Sequence, residues 1–234
     1  MSEIKRYQLA DSAIADEGHG DHAAQATSRL LRRTAEMPAH MYKRPRTRQS
    51  RYVVESLTTG MGEREAVTVG IAHEAYVFGV LDMAFKTDKE LEAMKLGRES
   101  RTASRQMGRQ VMRLAANQLA RHPLIEEYLA AVEAEQTPGH LAVSLGLTLA
   151  AAGWSKEDSV AAFLYQTATG FVAAAMKLLP IGQREGQKLL ESWLEVIERV
   201  SRNASHQQVL QSWSPIQDIY AMRHSRLESR LFRS

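Results

Sequence analysis

Residues 140–179 are the part of this chain that most restricts its fold. They are apolar, rich in alanine and nearly free of charge, and Gly153 divides them into two stretches. The first, residues 140–152, follows a Pro138-Gly139 turn. The second, residues 158–179, is opened by Ser155-x-x-Asp158, the spacing with which a serine caps a helix N-terminus, and is closed by Pro180. Helices with so little charge are buried from several sides rather than lying half in water. Ala161, Ala168 and Ala175, seven apart, and Gly170 let neighbouring helices approach closely. The segment predicts a buried central helical hairpin inside an all-α, single-domain helical bundle.

The flanking sequence has the same 3.6-residue period and no alternating run. A helix is expected over residues 64–85, with Val67, Ile71, Tyr76, Val80 and Leu81 apolar, and a shorter one over 88–95. Residues 100–120 place Met107, Val111, Leu114, Ala115 and Leu119 on one inward face. Arg121-His122-Pro123 interrupts the pattern, and a helix over 124–134 follows. Beyond the Ile181-Gly182 turn, residues 183–202 turn Leu189, Leu190, Leu194 and Ile197 inward, with Trp193 beside them. Ser214-Pro215 starts a last helix in the way proline favours, with Ile216, Ile219, Tyr220 and Leu227 towards the protein.

Composition removes whole classes of function. The 234 residues contain no cysteine, which excludes disulfides, zinc–thiolate and iron–sulfur sites and cysteine nucleophiles. No apolar run approaches the length of a membrane span, and the opening Met-Ser-Glu-Ile-Lys-Arg is not that of a signal peptide, so a cytoplasmic chain is expected. The net charge of +3 is unevenly placed: residues 29–51 hold eight basic side chains and one acid, Glu36. Residues 1–60 read as a divergent, poorly patterned basic arm on a helical domain over residues 61–234, with one weakly apolar helix over 23–37. Such an arm admits three uses: none beyond a loose tail, docking to a partner, or contact with nucleic acid. Tyr42 and Tyr52 flank the basic run without interleaving it. His19, His22 and His40 lack the pattern that fixes metal geometry.

Catalytic signatures are missing. Gly182-x-x-x-Gly186 lacks the strand, third glycine and lysine–hydroxyl pair of a phosphate loop, and no Gly-x-Ser-x-Gly elbow occurs. His140, after Pro-Gly, reads as a helix-start residue, and Glu99 and Arg101 as members of a salt-bridge network. Gln183 and Gln187 share a helix face and suit hydrogen bonding to a neighbour or partner, not acid–base chemistry. Arg223, His224, Arg226 and Arg230 form a positive C-terminal cluster. Phe232, between Leu231 and Arg233 near the chain end, has the composition of a partner anchor.

Four stretches together resemble the UreF family of urease accessory proteins. They are Glu99-Ser-Arg101-Thr-Ala-Ser104-Arg-Gln-Met107-Gly108-Arg109, then Gly139-His140, then Lys177-Leu-Leu-Pro180-Ile-Gly182-Gln183-Arg-Glu-Gly186-Gln187, and finally Asp218-Ile-Tyr-Ala-Met222-Arg223-His224 ending in Ser229-Arg230-Leu231-Phe232-Arg233-Ser234. The likeness runs over about residues 62–234. It implies an all-α, non-catalytic scaffold that forms a homodimer, binds the UreD/UreH accessory protein and recruits the GTPase UreG for nickel delivery to the urease apoprotein. It implies further that nickel and GTP are held by the partners and that no cofactor is bound by this chain. The partner-binding candidates it implies are Lys177, Gln183, Gly186, Gln187, Arg223, His224, Arg230, Phe232 and Arg233.

The family's opening Asp-Ser-x-Phe-Pro-x-Gly pattern begins at Asp11-Ser12 and is abandoned at Ala15-Asp16-Glu17-Gly18. A divergent segment or a shifted reading frame both account for this. The competing function from a different class is an all-α regulatory protein that binds nucleic acid through residues 29–51.

Overall fold

The computed structural model describes residues 48–119, 122–212, 218–219 and 222. The expectations for residues 1–47, His19, His22 and His40 among them, and for Arg223, His224, Arg230, Phe232 and Arg233 lie outside the described residues.

Among the described residues every regular element is helical. α1 (Arg48–Glu55) runs into a π-helical turn (Ser56–Gly60), and α2 (Glu65–Phe78), α3 (Leu81–Met94) and α4 (Arg98–Gln118) follow. α5 (Pro123–Glu133), α6 (Leu141–Ala151), α7 (Lys156–Leu178) and α8 (Gln183–Ser205) complete the bundle. Several boundaries lie where local chemistry puts them. Pro123 occupies the first turn of α5, where its missing N–H costs nothing. Ser155 Oγ accepts the Asp158 backbone N–H at 3.1 Å and caps α7.

α6 and α7 form the expected hairpin, and α2 lies against both of its arms. α2 supplies Val67, Val69 and Ile71 to one apolar cluster, shared with Leu57, Phe163, Leu164, Trp193 and Ile197. It supplies Ala72 and Ala75 to a second, shared with Met112, Ile125, Tyr128 and Leu147. Val53 and Leu57, N-terminal to residue 61, belong to the first cluster.

Several expectations are corrected. The helix read over 64–85 is two helices, because Gly79 takes a left-handed conformation (φ 69°) that ends α2; α3 then runs through Asp88 rather than starting there, and Val80 is exposed. In α4 the inward residues are Ser104, Gly108, Met112 and Ala115, while Met107 and Leu114 face out. The reason is steric: a Cβ on Gly108 would overlap the Gly139 carbonyl, so only a face of small residues reaches that backbone. Finally, α7 is buried from several sides mainly in its first half, with Val172 the buried residue beyond it. Val160, Phe163, Leu164 and Ala168 are enclosed, whereas Ala173, Lys177 and Leu178 are exposed. Length and composition alone would let α7 cross a membrane, but its packing is that of a core helix, against α2 and α8. Ile219, expected inward, is exposed.

Candidate functional site

The most elaborate polar arrangement among the described residues is a buried hub where α3, α4 and the α5–α6 loop meet. Asp88, with no solvent exposure, accepts four hydrogen bonds. Its Oδ2 takes Tyr128 Oη at 2.9 Å, Thr137 Oγ1 at 2.7 Å and the Gly139 N–H at 2.7 Å, and its Oδ1 takes the His140 N–H at 3.0 Å. The loop is shaped to present those donors: Glu135 and Gly139 both have positive φ (56° and 75°), and a Cβ on Gly139 would press on Val132. Tyr128 is held from the other side by stacking on Phe85 at 5.7 Å.

His140 is the N-cap residue of α6, as expected, but its ring is fully enclosed. Nε2 lies 2.8 Å from Glu92 Oε2 and Nδ1 lies 3.1 Å from Ser104 Oγ. Glu92 also pairs with Arg105 and, at 3.7 Å, with Arg101, so its carboxylate is an acceptor. The His140 Nε2–H therefore donates to Glu92, and Nδ1 accepts the Ser104 hydroxyl proton. Burial pushes the His140 pKa down and Lys95 adds to this, while Asp88 and Glu92 push it up; the net result lies below the ordinary 6.5 and keeps the ring neutral at pH 7. Burial raises the Glu92 pKa, and Arg105 with His140 pulls it down further, to a net value below the ordinary 4.5.

Serine, histidine and glutamate in sequence have the order of a nucleophilic relay. Here they cannot work as one. Ser104 is buried, and its Oγ already accepts the Leu141 N–H at 3.3 Å while its proton goes to His140. The hub fixes the α5–α6 loop against α3 and α4; it is a structural device. Among the described residues no group of three or more His, Asp or Glu is arranged to hold a metal ion.

A second buried cluster ties α2 to the end of α3. Glu65 Oε1 is 2.5 Å from Lys95 Nζ, and Glu65 Oε2 is 3.3 Å from Arg64 Nε. Arg64 also reaches the Met94 carbonyl and Ser212 Oγ, each at 3.4 Å. Arg64 and Lys95 line a cleft of about 210 Å³ with Tyr52, Ser56, Met61 and Phe171. Glu65 already satisfies both cations, so the cleft is not an open anion site.

The described partner-binding candidates lie around the α7–α8 turn. Lys177 is exposed in the last turn of α7, and Gln183 and Gln187 are exposed one turn apart at the start of α8. Gly186 is buried: a Cβ there would sit 3.0 Å from Val172 Cγ1 and 3.1 Å from Met176 Sδ, so glycine lets α8 close onto α7. The two amides and the lysine are thus surface groups at one corner, and the glycine serves packing.

Sequence reasoning missed Asp88, Glu92 and Ser104 as partners of the Gly139-His140 turn. A signal existed. Leu81, Ala84 and Leu91 lie on the buried face of α3, and Asp88 and Lys95 continue that face. A charged residue in a core register demands a buried partner.

Two of the stretches noted in the sequence, residues 99–109 and Gly139-His140, therefore meet at the hub, and a third makes the α7–α8 corner. Comparison with known proteins identifies the family. The UreF family profile matches residues 46–194. Urease accessory protein UreF of Actinobacillus pleuropneumoniae serotype 5b (strain L20) is 26% identical over 185 residues, covering 78% of this chain and 81% of that protein. Urease accessory protein UreF of Haemophilus influenzae (strain ATCC 51907 / DSM 11121 / KW20 / Rd) is 28% identical over 187 residues, covering 78% of each. The protein of the same name from Bacillus sp. (strain TB-90) is 28% identical over 172 residues, covering 73% of this chain and 75% of that one. With the profile spanning well over half its length, the chain belongs to the UreF family of urease accessory proteins.

Proposed function

We propose that this chain is a dimerising scaffold in urease maturation, which binds the UreD/UreH accessory protein and recruits the GTPase UreG for GTP-dependent nickel delivery to the urease apoprotein. The observation that carries this reading is the family match over residues 46–194. In this reading the chain contributes surfaces rather than chemistry, and the metal and the nucleotide are held by its partners. The absence of cysteine and the structural character of the Asp88–His140 hub support that division. Lys177, Gln183 and Gln187 form part of the partner surface, with Gly186 setting the spacing of α7 and α8 beneath them. The tail residues Arg223, His224, Arg230, Phe232 and Arg233 form the rest; the divergent basic arm lies outside it and ends before the core residues Val53 and Leu57.

The test is coexpression and pull-down with UreD/UreH and UreG, followed by titration of the full chain and of a chain lacking residues 231–234. A stable complex with the full chain is expected. The truncated chain should remain folded by circular dichroism and lose roughly thirtyfold in affinity, about 2 kcal/mol, as an aromatic hot spot would. Equal affinities would remove the tail from the surface and leave Gln183 and Gln187 as its centre. No complex with either partner would refute the reading.

A further inference from the structure

The inner face of α4 is accounted for by packing: Ser104, Gly108, Met112 and Ala115 are buried. Its outer face has features that packing does not require. α4 carries five arginines, Arg98, Arg101, Arg105, Arg109 and Arg113, and no lysine. Spaced three or four apart, they form one flank along about 22 Å of helix. Several guanidinium groups are held in place by neighbouring helices, Arg101 and Arg105 by Glu92 on α3, and Arg113 by Glu133 on α5 at 2.7 Å. Five cations against Glu92, Glu99 and Glu133 leave the flank positive.

On the opposite flank Met107 and Leu114, two turns apart, are 47% and 55% exposed. Gln106, Gln110 and Asn117 are exposed on the crest between the flanks. A merely solvated helix face is served equally well by lysine and glutamate. Arginine and methionine are enriched at protein interfaces and lysine is depleted there. The guanidinium fork matches a carboxylate in a way an ammonium does not, and groups already held in place lose less entropy on binding.

We propose that the outer face of α4 is a docking surface for an acidic, apolar-flanked segment of another protein. Carboxylates of that segment meet Arg98 and Arg109, which lie outside the salt bridges that hold Arg101, Arg105 and Arg113, and an apolar side chain covers Met107 and Leu114. The positive charge alone would also attract a nucleic acid, but Glu92 and Glu133 interrupt the cations and the opposite flank is apolar, which a continuous phosphate backbone does not match.

The test is independent of which proteins join the assembly. The full chain is titrated with a helical peptide of about 20 residues, long enough to span the face. The peptide bears glutamate at every fourth position and leucine on the adjoining flank. The same peptide with lysine for glutamate and a DNA duplex of equal length are titrated in parallel. The acidic peptide should bind saturably and more weakly as salt rises. Its affinity should fall at least about tenfold for Arg98→Glu/Arg109→Glu and for Met107→Ser/Leu114→Ser, with the helical circular dichroism and melting temperature of the chain unchanged. Both pairs alter surface side chains outside the Glu92 and Glu133 salt bridges. The proposal is overturned if the acidic peptide does not bind, if the variants bind it as well as the unaltered chain, if the lysine peptide binds equally, or if the duplex binds more tightly and is lost with the arginines.

Discussion

The Asp88–His140 hub and the α7–α8 hairpin solve the same problem, holding helices together, with opposite materials. At the hub, a buried carboxylate, an imidazole and a hydroxyl fix one loop in one geometry, each polar atom answering a particular partner. Along α7 and α8 the contact is alanine, valine, leucine and tryptophan, and the far half of α7 is left partly uncovered. Apolar contacts tolerate small shifts, whereas buried polar groups do not, because a lost partner leaves an unsatisfied group in a medium without water. The hub region should therefore be the brittle half of the molecule. The hairpin should be the forgiving half, with room on its surface for a partner.

The largest effect is expected from Asp88→Ala. It leaves Tyr128 Oη, Thr137 Oγ1 and two backbone N–H groups facing a void, and the cost should be about 4 kcal/mol or more by urea denaturation. A loss below about 1 kcal/mol would mean that the loop finds other partners and the hub is not brittle.

Next comes the buried pair joining α2 to α3. Glu65→Gln leaves the buried Lys95 charge without its carboxylate and takes one partner from Arg64, and should cost about 3 kcal/mol. The same group gives a pH signature. Burial raises the Glu65 pKa, but Lys95 and Arg64 together outweigh it, and the net value lies below the ordinary 4.5. A carboxyl lowered on folding stabilises above its unfolded pKa, and that stability is lost as pH falls through the folded value. His140, whose pKa is also lowered, likewise stabilises fully above 6.5 and loses that contribution on acidification below it. Stability should thus fall in two acid steps, the first reduced in His140→Gln, with His73 supplying what remains, and the second reduced in Glu65→Gln, with Glu74 and Glu92 supplying what remains. One unaltered step in both variants would contradict the assignment.

Two substitutions two residues apart on α7 sharpen the contrast within the hairpin. Ala168 is fully buried, and Ala168→Leu should overpack the core by roughly 1–3 kcal/mol. Gly170 is exposed, with nothing within 4 Å of an added Cβ, so Gly170→Ala should stabilise by roughly 0.5–1 kcal/mol through backbone entropy alone. Equal denaturation midpoints for the two variants would show that α7 is loosely packed throughout.

Local chemistry was legible in the sequence and long-range chemistry was not. Ser155 and Asp158, Pro123 and Gly153 announce helix ends because each acts on its own backbone. Gly79 is hidden in the sequence because the apolar period continues across it, and only its left-handed φ reveals the break. Hydrophobicity alone puts Met107 and Leu114 on the inward face of α4. In fact Gly108 sets that face, since the Gly139 backbone tolerates no side chain there. Asp88 and His140 are about fifty residues apart, and nothing local links them. For the candidate site, the grouping of Lys177, Gln183 and Gln187 at one corner was readable from their short spacing around Pro180 and Gly182. The packing role of Gly186 was not, because Val172 and Met176 meet it only after the chain has turned.

If this chain serves urease maturation as a non-catalytic scaffold, urease depends on it for nickel. The most direct measurement is the nickel content and activity of urease produced with its other accessory proteins, with and without this chain, in nickel-supplemented cells that lack a UreF protein of their own. Urease should be nickel-poor and inactive without the chain and become loaded and active when it is supplied. Equal nickel content and activity in both cases would contradict the account.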